Sequence, residues 1–210
     1  ITRQQITMGA SSYLKIGEGC NYQCGYCIIP KLRGKYISRP IENIVKEAQM
    51  LADKGVTEII LIAQDTSSYG IDLYGKQKLP ELLEKLNQIQ NLSWIRIMYA
   101  YPTQMTDELI DAIAKLDKVV KYVDIPLQHS HPRVLESMRR PVMDYRELIE
   151  KIRKKIPGVS VRTSLIVGYP GETEEEFEHL YKFVQDIKLD RMGAFEYSRE
   201  KETYSYNLKK

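Results

Sequence analysis

The chain has 210 residues, 31 Lys and Arg against 28 Asp and Glu, and a hydrophobic fraction of 43%. That is an ordinary composition for a soluble globular protein, and long enough for one domain or one barrel-sized unit with a sizeable core. A net charge of +3 gives no argument for nucleic acid, and the longest apolar run, IILIA at 59–63, is strand-sized and cannot span a membrane.

The opening ITRQQIT lacks both an initiator Met and the charged-then-apolar layout of a signal peptide, so the chain reads as a fragment cut from a longer protein. SSYLKI (11–16) reads as a strand, with Tyr13 and Lys15 on one face and Leu14 and Ile16 on the other. IENIVKEAQMLADKG (41–55) is helical, opened by Pro40 and ended by Gly55, with Ile41, Ile44, Val45, Ala48, Leu51 and Ala52 recurring three and four apart. EIILIA (58–63) is a continuous apolar run, expected of a strand buried on both faces. A helix over 79–90 and a strand over 94–99 follow. The next helix, 106–117, has Thr106 as N-cap, and a strand follows at 121–127. Helical stretches at 132–139 and 145–156 precede a strand at 159–168. The helix over 173–188 opens with a capping box, Thr173 with Glu176, and the last strand is 191–198. Six strands alternating with helices imply right-handed crossovers and a parallel α/β sheet, either open and doubly wound or closed toward a barrel.

All three cysteines, Cys20, Cys24 and Cys27, lie in EGCNYQCGYC (18–27), directly after the first strand. Loops at the carboxyl ends of parallel strands form the active face of such folds. An odd, bunched count with no export signal points to a reducing cytosol and to metal or redox chemistry, not to a disulfide framework. A structural zinc site needs four ligands, and the nearest His, His129, is remote in sequence. A thioredoxin-like dithiol at Cys24 and Cys27 leaves Cys20 idle, and it should open a helix where Pro30 follows at once. An iron–sulfur cluster on three thiolates keeps one iron open for a substrate or cofactor.

EGCNYQCGYC resembles the signature of the radical S-adenosylmethionine superfamily, Cys-x-x-x-Cys-x-aromatic-Cys, with Tyr26 as the aromatic. The resemblance implies a six-stranded partial (βα)6 barrel of the TIM-like type, a 4Fe–4S cluster, and reductive cleavage of S-adenosylmethionine to a 5′-deoxyadenosyl radical. From end to end the chain resembles the methylthiotransferases of that superfamily. IPKLRGKYISRPIENIVKEAQML (29–51) matches the segment after the cluster loop. Gln64-Asp65-Thr66 with Tyr69-Gly70, and DIPLQHSH (124–131), resemble the branch acting on ribosomal protein and not the tRNA-modifying branch. RTSLIVGYPGETEEEFEHL (162–180) and FEYSREKETYSYNL (195–208) complete the likeness. That branch adds a methylthio group to the β-carbon of an aspartate in a small-subunit ribosomal protein. The alternatives are a tRNA adenosine methylthiotransferase core and, from another class, a metal-binding or redox-sensing module.

By the same resemblance, residues 1–210 are the radical core alone. An N-terminal domain with a second 4Fe–4S cluster and a C-terminal TRAM domain are expected in full-length members. Cys20, Cys24 and Cys27 would be the cluster ligands, and Tyr26 would meet the adenine. Gln64 would accept from the methionine ammonium group, and Gln128 would reach the cofactor. Arg162 would pair with its carboxylate, unless it pairs with Asp124 or Glu196. Val167 and Gly168 would line the adenine pocket, unless the segment is simply a tight βα turn; His129 reads as a satisfied polar residue, with general base as the alternative. Lys31, Arg33, Lys35 and Arg39 form a basic run beside the cluster loop that reads as a solvated face or a ribosome contact. Expected partners are the ribosomal protein, in its setting on the ribosome, and a reductant such as flavodoxin or ferredoxin. The expected location is cytoplasmic, without membrane association.

Overall fold

A computed structural model describes residues 9–208; residues 1–8, the opening ITRQQIT among them, and the last two residues lie outside them. Strands and helices alternate as β1 (Ser11–Lys15), α1 (Ile41–Asp53), β2 (Glu58–Ile62), α2 (Leu79–Asn87), β3 (Trp94–Ile97), α3 (Asp107–Lys115), β4 (Tyr122–Asp124), α4 (Tyr145–Lys155), β5 (Ser160–Val167), α5 (Glu174–Ile187) and β6 (Arg191–Glu196).

All six strands run parallel in chain order. Leu14 pairs with Leu61, Leu61 with Ile97, Val123 with Val161, and Thr163 with Met192. The two halves join where Ile95 N–H donates to the Lys118 carbonyl (2.7 Å) and Val120 N–H to the Ile95 carbonyl (3.0 Å). No pairing among the described residues joins β6 back to β1, so the sheet curves without closing. This is the partial barrel expected above, and the open doubly wound alternative is not observed.

Alternation along each strand sends one set of side chains under the helices. Leu14, Ile59, Leu61, Ile95 and Val161 are fully buried there, packed against Ile44, Ala48, Leu83 and Ile149 of the helical layer. Each such side chain contributes about 1.5–3 kcal/mol relative to leaving it exposed. The opposite face looks into the open barrel: Tyr13 is exposed, Ile60 and Ile62 are half-buried, and Arg96 pairs with Glu58 (2.7 Å). EIILIA is therefore not buried on both faces, because an unclosed barrel leaves its inner face partly wet.

The helix ends follow local chemistry. Thr106 accepts from Leu109 N–H (3.3 Å), Asp144 caps α4 through the Arg146 and Glu147 N–H groups, and α5 opens with the reciprocal Thr173–Glu176 capping box. Three short helices, Ile29–Arg33, Ile71–Tyr74 and Pro132–Ser137, sit in the loops that follow β1, β2 and β4. The first of them corrects an expectation, since Pro30 does not prevent a helix after Cys27. In a first turn the missing N–H of proline removes no hydrogen bond. Among the described residues no helix is long and apolar enough to cross a membrane.

Candidate functional site

The loop that carries the cysteines is closed at its base by a two-residue antiparallel ladder, Gly17–Glu18 against Ile37–Ser38. Gly19 follows with φ +84, and a Cβ there would lie 2.2 Å from the Lys35 carbonyl oxygen, so only glycine fits this crossing of two backbones. Gly19 N–H donates to Gln64 Oε1 (2.7 Å), which ties the loop to the end of β2. Cys20 N–H donates to the Gly34 carbonyl (3.1 Å), and Cys27 N–H turns back to the Cys24 carbonyl (3.0 Å).

Gly25, between two of the cysteines, is gripped from both sides. Its N–H donates to the Met138 carbonyl (2.7 Å) and its carbonyl accepts from Ser205 N–H (2.8 Å). A methyl group here would come within 3.0 Å of Tyr169 Oη and 3.1 Å of the Ser137 carbonyl. The cysteine loop is thus seated on the turn that ends the Pro132–Ser137 helix and is covered by the segment beyond β6.

Cys20, Cys24 and Cys27 are free and half-buried, and all three line one cavity of about 360 Å³ at the carboxyl end of the barrel. Tyr26, Gln64 and Gln128 line it too, as do Tyr22, Asp65, Tyr101 and Arg140. Tyr22 and Tyr101 stack face to face, with centroids 3.6 Å apart, and the Arg140 guanidinium lies 4.3 Å from the other ring's centroid. Burial pushes the Cys20 thiol up to about 11 and raises that of Cys27. Loading these thiols with metal would therefore have to displace their protons.

The donor set discriminates between the metal readings. Among the described residues no three His, Cys, Asp or Glu side chains converge where one ion could be held. A structural zinc site takes four protein ligands, and this loop offers three thiols. A cubane cluster, which binds each thiolate to a different iron, matches a donor set of three thiols on one cavity. The Nε of Arg140, buried against the same cavity with no hydrogen-bond partner, is a further sign of a group with acceptor character there.

Of the other candidates, Tyr26 and Gln128 share the cavity with the cysteines, whereas Arg162, Val167, Gly168 and His129 do not line it. Tyr26 reaches the cavity while packing beside Val134, Met138 and Tyr169. Gln128 bridges β4 and β5, its N–H donating to the Ser164 carbonyl (2.9 Å) and its carbonyl accepting from Ile166 N–H (2.8 Å), at φ +73. Arg162 faces the barrel interior and pairs with Asp124 (2.8 Å), outside the cavity. Val167 and Gly168 also lie outside it; the Val167 carbonyl accepts from Tyr197 N–H (2.8 Å). His129 is fully buried, its Nδ1 accepting from His131 N–H (3.0 Å) and its Nε2 facing Glu172 (3.3 Å), so it secures a loop and does not face the cavity. In the basic run, Lys31 pairs with Glu202, Arg33 with Glu18 and Arg39 with Glu47, which neutralises most of it. Arg140, Tyr101 and Tyr99, which also lines the cavity, were not singled out from the sequence. No spacing rule links them to cysteines so far away along the chain.

A half-open parallel barrel with a three-cysteine loop at the carboxyl end of its first strand defines a class, and the comparison with known families agrees: residues 14–184 match the Radical SAM superfamily, and the chain belongs to it. Its curated relatives include the ribosomal protein uS12 methylthiotransferase RimO of Caldanaerobacter subterraneus subsp. tengcongensis, 56% identical over 94% of this chain and 46% of the relative. The protein of that name from Clostridioides difficile is 54% identical over 97% of this chain and 46% of its own length. The chain therefore spans about half the length of the curated relatives it matches. Among solved structures, the radical S-adenosylmethionine methyltransferase TsrM from Kitasatospora setae, solved with cobalamin and a [4Fe-4S] cluster, aligns with a TM-score of 0.71 at 18% identity, over 88% of this chain and 36% of that one. Coproporphyrinogen III oxidase HemN from Escherichia coli aligns at 0.67 and 17% identity, over 95% and 47%. These two likenesses bear on the fold alone.

Proposed function

We propose that this chain is the radical core of a methylthiotransferase that modifies an aspartate β-carbon in a small-subunit ribosomal protein. The observation that carries the reading is the juxtaposition of three free, half-buried thiols on one cavity at the mouth of the barrel. The identity to uS12 methylthiotransferases over nearly the whole chain supports the choice of substrate. Residues 1–210 form one core domain in this reading. The remainder of a full-length protein would supply the auxiliary-cluster domain, with a second 4Fe–4S cluster, and the TRAM domain.

When bound, a 4Fe–4S cluster with one iron free of protein ligands supplies a single electron to S-adenosylmethionine and so breaks its sulfur–carbon bond. Cys20, Cys24 and Cys27 would hold that cluster. The Gly19 and Gly25 contacts hold the loop, so that the thiols are positioned before the metal arrives. Gln64 keeps its amide near the cavity although its oxygen already accepts from Gly19, leaving a second lone pair for an ammonium donor. Gln128 and the stacked Tyr22 and Tyr101 offer polar and aromatic faces to a cofactor and narrow the access of water. Arg162, held by Asp124, Val167, the last residue of β5, and Gly168 just after it are assigned no cofactor contact.

Anaerobic reconstitution with iron and sulfide tests this. We expect the iron-to-sulfide ratio of a cubane, an EPR signal of the reduced cluster that changes on adding S-adenosylmethionine, and release of 5′-deoxyadenosine under a low-potential reductant. Zinc in place of iron, or a fully loaded sample whose spectrum ignores S-adenosylmethionine, would overturn it. A full-length protein carrying this core, offered uS12 and tRNA side by side, should methylthiolate only the former, with flavodoxin or ferredoxin as electron donor.

A further inference from the structure

Arg140 is a buried cation without a carboxylate. The residue is 8% exposed, yet among the described residues it enters no ion pair with Asp or Glu. Its Nη2 donates to the Pro126 carbonyl (2.5 Å), its Nη1 points to Cys24 Sγ (3.8 Å), and its plane covers Tyr101. Its Nε is left with no partner. An isolated buried charge is costly, so a fixed guanidinium in this position calls for a negative group beside it.

The backbone makes the position rigid. Arg140 N–H donates to the Leu135 carbonyl (2.8 Å), and Arg139 takes φ +54 to turn the chain after the Pro132–Ser137 helix. The same turn presents the Met138 carbonyl to Gly25 N–H. One short turn therefore holds the cysteine loop by its backbone and touches a cysteine sulfur with its side chain.

We propose that Arg140 is a positioning residue that sets the reduction potential of the iron–sulfur centre through the sulfur of Cys24. The inference rests on the function proposed above. A cluster on three thiolates gains one further negative charge when it takes up an electron. A guanidinium fixed against a ligand sulfur, away from water, stabilises the reduced form more than the oxidised one and so raises the potential. No new redox step is implied; the electron comes from the external reductant in either case.

The experiment is an EPR-monitored redox titration of the reconstituted chain, without S-adenosylmethionine, for the unaltered protein, Arg140→Lys and Arg140→Met. Dithionite and mediators set the potential, and iron content and circular dichroism check loading and fold. Arg140→Met should move the midpoint to more negative values, with a tenfold shift in the reduction equilibrium corresponding to about 59 mV for one electron. Arg140→Lys, which keeps the charge but not the fork, should shift it less. A Met variant that folds but takes up no iron, beside a Lys variant that loads with an unchanged midpoint, makes Arg140 a loading residue and overturns the proposal. An unchanged midpoint in a fully loaded Arg140→Met sample overturns it. So does an unchanged midpoint accompanied by weakened S-adenosylmethionine binding, which would make Arg140 the partner of the cofactor carboxylate instead. If the unaltered chain loads no cubane at all, the proposed function fails first, and the two failures are thereby distinguished.

Discussion

Two glycines carry much of the site. At Gly19 a side chain would meet a backbone carbonyl at 2.2 Å in a left-handed conformation, so neither space nor dihedral allows one. Gly19→Ala should therefore abolish iron loading while the helical circular dichroism survives, because the strain is confined to one loop. Gly25→Ala is milder. Its methyl group would press on Tyr169 Oη and the Ser137 carbonyl, contacts that yield only by moving a few tenths of an ångström. A several-fold loss of loaded cluster at limiting iron is expected there, read by absorbance. Serine at Cys20, Cys24 and Cys27 together should leave no cluster absorbance, since a neutral hydroxyl is a poor iron ligand.

At the scale of elements, α5 shows how a single side chain secures a helix and a neighbouring loop. Glu176 completes the capping box with Thr173 and also binds Arg133 from the Pro132–Ser137 helix. The Arg133 hydrogen bonds hold its carboxyl at about 2, well below the ordinary 4.5. A carboxyl depressed in the folded state stabilises fully above its ordinary value, and that stabilisation is lost as pH falls from 4.5 toward 2. Glu176→Gln should flatten the acid limb of the stability profile in that window. At neutral pH it should cost about 1 kcal/mol, on the order of 2–4 °C in melting temperature for a chain of this size. A variant whose acid limb overlays that of the unaltered chain would show that Glu176 does not carry it. His129 acts one layer further in: burial lowers its pKa, so the neutral ring is the one that fits, and stability should begin to fall as pH drops below about 6.5.

The whole molecule is a barrel that stops short of closure, and this divides its strand residues into two energetic classes. Leu61 is fully buried under the helices, whereas its neighbour Ile60 faces the open interior and is only half-buried. Leu61→Ala should cost about 2–5 kcal/mol in chemical denaturation, as for other well-packed core sites. Ile60→Ala should cost clearly less, because it removes fewer packing partners and opens no closed cavity. Equal losses at the two positions would mean that the interior is covered in solution, which the open sheet edge between β6 and β1 does not provide here.

The six strands, the five long helices and the Thr106 and Thr173 caps were legible in the sequence, because a helix end or a strand face is written in residues a few positions apart; Asp144 at the start of α4 was not read. The cysteine loop was equally legible, since its three ligands lie within eight positions and its glycines beside them. Contacts between distant segments were legible only in part: Gln64 and Gln128 were expected at the cavity, and Asp124 was one of the partners weighed for Arg162, but the pairings themselves were not. Arg140 reaches Cys24 across 116 positions, Gln64 reaches Gly19 across 45, and Arg162 turned to Asp124 and away from the cavity. Local periodicity places a residue on a face, but which charges meet on that face is set by strand order and by the curl of the sheet. Only the folded chain decides those partners.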